Sequence, residues 1–470
     1  MTILDLKLDR ASKISLSEQI RLGITGAIEN GILVPGARLP SWVDLATQLG
    51  VARGTVRTAY ERLTDAQLIV SSRAGGTRVS DHTTVVRPAT EPTGTVQTDQ
   101  RFALYQHFLP GSAVFQNGVP ASDCFPRTLF ARLRARAARD EVEALAHYPD
   151  PRGEHDLRRE IAAHLALSRG IECRPSQIFV SGGFTGALGV VLRVIQAEGR
   201  KAWVENPGFL PSRRALEISR LTTVPVPVDE EGLDVGYGEV HAPDAAMALV
   251  TPGQQAPLGP TLSLARRVRL LEWARSADAW IIEDDYLGEL QLRRRAAPAL
   301  ASLDQAGRVI HIGSFSKTIS PTLRLGFVVA PATQVPRFDE VVACLATAPG
   351  PAVQTATAKF MRDGHYMRHL RRMKRVYAGR SNALLATLED RGFEVYPSGL
   401  AVVLKLADGV DDKRIAREAY AYGLAPGPLS RWYCSESTQR SGLLLGVATT
   451  IEGQLPNACD RLHELIRKFS

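Results

Sequence analysis

The stretch Ile312–Phe327, IGSFSKTISPTLRLGF, decides how most of this chain folds. The apolar run VIHIG, Val309–Gly313, leads into it and reads as a buried strand. A turn carrying Ser314, Ser316 and Lys317 follows, and Arg324 comes seven residues after the lysine. A lone lysine is ordinarily a solvated surface residue. Here two hydroxyls, turn amides and a guanidinium gather at one strand end, a donor set suited to a dianion such as phosphate. A partly desolvated lysine beside a cation loses proton affinity, as imine formation with an aldehyde requires.

Outward from this stretch, β-prone runs alternate with helical ones. QIFVSGG precedes TGALGVVLRVIQAEG, KAWVEN precedes SRRALEISR, and MALVTP precedes LSLARRVRLLEWARSA. That alternation predicts an α/β fold with a mostly parallel sheet covered on both faces and a smaller C-terminal α/β subdomain. Ligands of such sheets collect at the carboxyl ends of strands. In IIEDDYL, strand alternation puts Asp284 and Tyr286 on one face and Glu283 and Asp285 on the other. An acid and a phenol on one face suit a pyridine ring, the acid pairing with a protonated ring nitrogen. Taken alone, the acidic run also reads as a solvated strand end or a magnesium ligand set, although no P-loop accompanies it. VSGGFTGAL is a glycine turn entering a helix, where the amides of Gly183, Phe184 and Thr185 would receive a phosphate. Phe209, in VENPGF, stands where an aromatic would stack on a flat ring, and a core position is an equal reading.

The first eighty residues have a different grammar. Ile20, Ile24, Ala27 and Ile28 fall at helical spacing. Pro40 and Ser41 start a second helix, SWVDLATQLG, which Gly50 closes, and ARGTVRTAYERLTDAQL makes a third. IVSS and TRVS, joined by RAGG, read as a hairpin with a glycine tip. This is the element order of a winged helix. Arg53, Thr55 and Arg57 start the third helix and have the chemistry to reach phosphates and base edges. Arg73 and Arg78 flank a glycine tip, Gly75 and Gly76, thin enough for close approach to a DNA backbone or minor groove. A small dimerisation module with exposed arginines is the other reading.

The chain has 470 residues, enough for two or three domains, with ordinary soluble composition at 44% hydrophobic and 23% charged. Its net charge of +8 permits an anionic partner, and solvated helix faces account for it equally well. No apolar run reaches membrane-span length, and MTILDLKLDR carries no signal-peptide pattern. Five scattered cysteines without a C-x-x-C spacing argue against a disulfide framework or zinc site and fit a cytoplasmic protein. DHTTVVRPATEPTGTVQTDQ, rich in Thr and Pro, reads as an extended connector. The expected division is therefore a DNA-binding unit over 1–80, a linker over 81–110 and a large domain over 111–470.

Two resemblances sharpen this reading. GILVPGARLPSWVDLATQLGVARGTVRTAYERLTDAQLI resembles the winged helix of the GntR family, with its L-P-S-x-R-x-L-A helix and G-V-S-R-x-T-V run. Val43 stands where that pattern has arginine, which leaves Ser41, Arg53, Thr55 and Arg57 as the implied DNA contacts. From about residue 115 onward, FQNGVPASDCFP, YPDPRGEHDLRREIAAHLALSRGI, TPGQQAPLG and the lysine stretch resemble the fold-type I aminotransferases. The combination is that of the MocR-type, or GabR-like, regulators. The resemblance implies pyridoxal 5'-phosphate (PLP) as cofactor. Lys317 would be its imine lysine, Asp284 would sit at the ring nitrogen, Tyr286 at the ring hydroxyl, and Arg324 with Ser314 and Ser316 at the phosphate. It also implies a head-to-tail homodimer on a double-stranded operator with paired half-sites.

The chain departs from the enzymes at two places, and one further motif needs weighing. In GLLLGVA, Leu444 stands where G-L-R-L-G-F-A supplies the arginine that grips a substrate carboxylate. Losing such a buried partner costs about 2–5 kcal/mol, enough to abolish ordinary amino-acid transamination unless Arg431, Arg213 or Arg214, which nothing in the sequence places there, substitutes. Ala256 stands where related enzymes often carry Asn or an aromatic. HYMRH, His365–His369, lacks the glutamate a zinc protease needs and reads as a plain helix face. The expectation is a regulator that senses a small molecule, a B6 vitamer or an amine, with no physiological catalysis. An active aminotransferase carrying a DNA-binding accessory is the alternative.

Overall fold

The computed structural model describes residues 8–72, 76–81, 113–143, 148–292, 297–435 and 439–469. The chain divides into two compact units, Met1–Asp99 and Gln100–Ser470. The expected linker over 81–110 falls, but for Asp81, outside the described residues.

In the first unit three helices precede a hairpin: α1 (Leu16–Glu29), α2 (Trp42–Leu49), α3 (Arg53–Asp65), β1 (Ile69–Ser72) and β2 (Gly76–Val79). The helix starts follow from local chemistry. Ser15 caps α1 by accepting from the Glu18 amide, and Ser41 caps α2 by accepting from the Asp44 amide. Ile20, Ile24, Ala27 and Ile28 of α1 meet Leu45 of α2 and Val56, Ala59, Tyr60 and Leu63 of α3 in one core. The Tyr60 hydroxyl donates to the Pro40 carbonyl at 2.9 Å, tying α3 to the start of α2. β1 and β2 pair antiparallel, with Ser72 opposite Gly76.

In the second unit, α4 (Arg127–Glu143) and α5 (His155–Arg169) lead into an eight-stranded sheet. Its strands are β3 (Ile178–Ser181), β4 (Lys201–Asn206), β5 (Thr222–Asp229), β6 (Gly232–Leu233), β7 (Met247–Val250), β8 (Trp280–Asp285), β9 (Val309–Ser314) and β10 (Gly326–Val329). The order is β3-β10-β9-β8-β7-β4-β5-β6, parallel from β9 through β5. β10 runs antiparallel between β9 and β3, and β6 runs antiparallel to β5. Alternation along each strand feeds two cores. Trp203 and Ile281 face one, while Ala202, Val204 and Ile282 face the other. Helices α6 (Gly183–Ile195), α7 (Leu210–Ile218) and α8 (Leu264–Ser276) cover the sheet, and Trp273 of α8 stacks on Trp203 with ring centres 3.8 Å apart.

A second sheet, antiparallel in the order β11-β12-β14-β13, closes the chain. Its strands are β11 (Val395–Ser398), β12 (Ala401–Lys405), β13 (Gly427–Pro428) and β14 (Gly442–Gly446). α9 (Pro351–Arg362), the long α10 (His365–Glu389) and α11 (Leu455–Phe469) complete the elements used below. No described helix is long and apolar enough to cross a membrane.

Candidate functional site

Parallel strands deliver their carboxyl ends to one edge of the sheet, and the antiparallel β10 begins there. That edge gathers Gly182–Thr185 after β3, Glu205 and Phe209 from β4 and beyond, and Thr251 after β7. It also gathers Asp284 near the end of β8 and Tyr286 just past it, Ser314 at the end of β9 with Phe315–Lys317 following, and Arg324 before β10.

The three acids of β8 separate by face. Glu283 accepts from the Leu300 amide at 2.7 Å, the Ala301 amide at 3.0 Å and His311 Nδ1 at 3.0 Å. Asp285 forms a buried pair with Arg169, at 2.7 and 3.2 Å. Both are committed to holding the fold. Asp284, only 7% exposed, receives no hydrogen bond from any described residue. Burial, with Asp285 and Glu205 nearby, pushes its carboxyl well above the usual carboxylate range, and Lys317 pulls it back. Tyr286 lies just past the strand end rather than on it. Burial pushes its phenol up, and the charges of Asp284 and Glu205 push it further.

Lys317 is half-buried, and its Nζ donates to the Gly118 carbonyl at 2.6 Å. Desolvation lowers its amine to about 8, against the opposing pull of Asp284. The serine turn is self-braced, since the Ser316 amide donates to Ser314 Oγ at 3.2 Å. Gly183, at φ +78°, opens α6 in a conformation that L side chains avoid. A Cβ there would stand 4.0 Å from Ser316 Oγ and from the Arg324 carbonyl carbon, so these three residues rim one small cup. No side chain caps α6, which leaves its first-turn amides, including those of Phe184 and Thr185, for an anion. Arg324 is left-handed at φ +48°, uncommon away from glycine, and its exposed guanidinium has no partner among the described residues.

Phe209 caps α7 and packs edge-on to Phe184 at 6.4 Å and tilted to Trp432 at 5.8 Å. It shares one cavity wall with Asp284, Glu205 and Ser212, and a second cavity with Asn117, Arg431 and Leu444. Leu444 is buried on β14 among Val403 and Leu429, and its carbonyl accepts from Asn117 Nδ2 at 2.7 Å. Leu444 is apolar where the resemblance implies a cation, and Arg431 lines the same cavity.

Sequence reading passed over several residues of this edge. Glu205 is fully enclosed. It accepts from Thr251 N at 2.9 Å, Thr251 Oγ1 at 2.6 Å and Gln255 Nε2 at 3.3 Å, and burial pushes its carboxyl up to about 7. Gly118 and Asn117 were also missed, because nothing local links FQNGVP to the lysine turn.

On the first unit, Arg53 begins α3 and is exposed, Thr55 is half-buried, and Arg57 pairs with Glu61 at 2.9 Å. Ser41 caps α2, its hydroxyl also donating to Asp44 Oδ2 at 2.7 Å. Gly76 starts β2, while Arg73 and Gly75 lie outside the described residues. Arg78 donates to the Gly36 carbonyl at 3.0 Å and so braces the hairpin.

A winged helix followed by a lysine turn at the edge of this sheet defines a DNA-binding unit joined to an aminotransferase-like domain. The chain belongs to the MocR-type transcription regulators, matching the family described as aminotransferase class I and II over residues 118–462 and the bacterial regulatory proteins of the gntR family over 16–79. It is 33% identical, over 94% of this chain and 92% of the relative, to the probable rhizopine catabolism regulatory protein MocR of Rhizobium meliloti. It is 34% identical, over 80% of this chain and 78% of the relative, to the pyridoxine biosynthesis transcriptional regulator PdxR of Corynebacterium glutamicum. Among solved structures, the α-aminoadipate aminotransferase LysN of Thermus thermophilus, complexed with N-(5'-phosphopyridoxyl)-L-leucine, matches at TM-score 0.69 and 26% identity. That match covers 77% of this chain and 94% of LysN. The kynurenine aminotransferase of Pyrococcus horikoshii, at TM-score 0.70 and 23% identity, covers 79% and 94% and shares the fold.

Proposed function

We propose that this regulator binds PLP at the sheet edge and uses the domain of residues 111–470 as a sensor rather than a catalyst. The residues present suit the cofactor. Asp284 is buried and receives no hydrogen bond from a described residue, and a protonated ring nitrogen would relieve its raised pKa. The cup at Gly183, Ser316 and Arg324, with Ser314, Phe184 and Thr185, would hold the phosphate. Tyr286 would meet the ring hydroxyl and Phe209 the ring face. Bound PLP would supply an electrophilic aldehyde on which amines exchange. Lys317, lowered to about 8, is a competent nucleophile near neutral pH.

One observation carries the sensor reading. The lysine, the acid and residues suited to a phosphate lie on one sheet edge, yet Leu444 stands where the resemblance implies a carboxylate grip. Such a site would retain a cofactor, and α-amino acids would lack the usual grip at position 444, with Arg431 in the same cavity as the alternative carboxylate partner. The effector is then a B6 vitamer or an amine without a carboxylate. Ligand occupancy would bias the large domain between two states. In a head-to-tail cytoplasmic homodimer, that bias would change how two winged helices, residues 1–80 on linkers 81–110, meet paired half-sites of double-stranded DNA. Ser41, Arg53, Thr55, Arg57 and the tip at Arg73, Gly75 and Gly76 would make the contacts.

Difference spectra and operator titrations of the purified chain, with PLP and a panel of amines, test this. The expected result is a visible band on adding PLP and operator affinity that changes with ligand. Spectral cycling with an amino acid donor would favour an active aminotransferase instead. A colourless protein that refuses PLP sinks the reading.

A further inference from the structure

The run HYMRH has a use that its spacing does not reveal. Tyr366 and His369, three apart on the first turns of α10, share a buried face, and both reach Thr318, the residue after Lys317. His369 Nε2 donates to the Thr318 carbonyl at 2.8 Å. Tyr366 Oη lies 2.6 Å from Glu289 Oε2 and 3.0 Å from Thr318 Oγ1. A phenol has one proton and gives it to the carboxylate, so the Thr318 hydroxyl donates to Tyr366. Glu289 is completed by His164 of α5 on its other oxygen. Thr318 is thereby held at its main chain and its side chain.

We propose that Tyr366 and His369 are positioning residues for Lys317, fixing the peptide that aims its amine at the cofactor. This rests on the PLP reading above. The lysine side chain has many rotamers, and among the described residues its amine bonds only the Gly118 carbonyl, so the direction of its Cα–Cβ bond sets where the amine can go. Thr318 sets that direction, and α10 sets Thr318. The same helix continues through Leu384, Leu385 and Leu388 into the core beneath the second sheet, alongside Val402, Leu404, Leu443 and Leu445. The lysine turn is therefore geared to the second sheet through one rigid element.

The test measures PLP affinity of the full chain and the pH at which the bound cofactor's visible band changes. Tyr366→Phe and Thr318→Val should each weaken PLP about three- to tenfold, the usual effect of one buried hydrogen bond, and move the band's pH midpoint. The double variant should lose little more than either single one, because both remove the same bond. Thr318→Ser, which keeps the hydroxyl, should behave like wild type, and His369→Gln should retain more affinity than His369→Leu. Wild-type affinity and midpoint in Tyr366→Phe and Thr318→Val, or strictly additive losses, would overturn the inference while leaving the cofactor reading intact. A wild-type chain that takes up no PLP overturns both.

Discussion

Lys317 Nζ and the Gly118 carbonyl oxygen meet at 2.6 Å although 199 residues separate them in the chain. The bond closes the sheet edge from the side of the entering segment. It also places the amine against a neutral acceptor, so burial rather than an ion pair dominates its proton affinity.

Replacing Lys317 by Ala should leave a protein that no longer shows the visible band on adding PLP. Absorbance scans of matched preparations check this, with near-unchanged far-UV circular dichroism as the control. A persistent band in Lys317→Ala would move the attachment elsewhere.

Loading should depend on pH in a set direction. The folded-state pKa of Lys317, about 8, lies below its ordinary 10.5, so the neutral amine predominates above about 8. Initial uptake of PLP should slow by about tenfold for each pH unit below that value. Stopped-flow absorbance between pH 6 and 9 reads it directly. Between about 8 and 10.5 the unfolded chain holds the extra proton, so this lysine makes the cofactor-free fold gain stability as pH rises.

Asp284→Asn should weaken PLP by roughly two orders of magnitude, since breaking one buried charge pair costs about 3 kcal/mol or more. Equilibrium dialysis suffices. Asp285→Asn should instead lower thermal stability, because its partner Arg169 is left charged and 2% exposed.

Arg57 is tied to Glu61 by an exposed pair, which contributes little and is readily exchanged for a phosphate. Arg57→Ala and Arg53→Ala should each weaken operator binding and reduce the slope of log affinity against log salt by about one. Fluorescence anisotropy across a salt series reports both numbers.

Gly238→Ala should lower the melting temperature without altering the sheet edge. A Cβ at 238 would stand 2.8 Å from the Trp203 ring, which is already stacked on Trp273. Overpacking of this kind typically costs about 1–3 kcal/mol. Differential scanning calorimetry decides it.

Local chemistry made much of this molecule legible beforehand. Ser41 and Gly50 bound α2 because capping is written in one or two residues, and the apolar period of α1 names the residues it buries. The strand-end residues Asp284, Ser314 and Lys317 could be placed because a parallel sheet sends every carboxyl end to one edge. Period-two alternation also sorted Glu283 and Asp285 away from Asp284, but it carried Tyr286 one residue too far along a strand that stops at Asp285. What stayed hidden is long-range. Gly118 reaches Lys317, and Thr251 and Gln255 wrap Glu205. HYMRH looked like an ordinary basic helix face because its partner Thr318 lies some fifty residues upstream. Such pairings arise only when folded elements meet.

The stitching around Asn117 has a mechanical corollary. Within a few residues, the entering segment touches the lysine turn through Gly118 and the second sheet through the Phe115–Gly446 bridge and the Asn117 bond to Leu444. A parting or closing of the two sheets by even an ångström would strain these three bonds together, so the few residues from Phe115 to Gly118 act as a gauge of the spacing between the sheets.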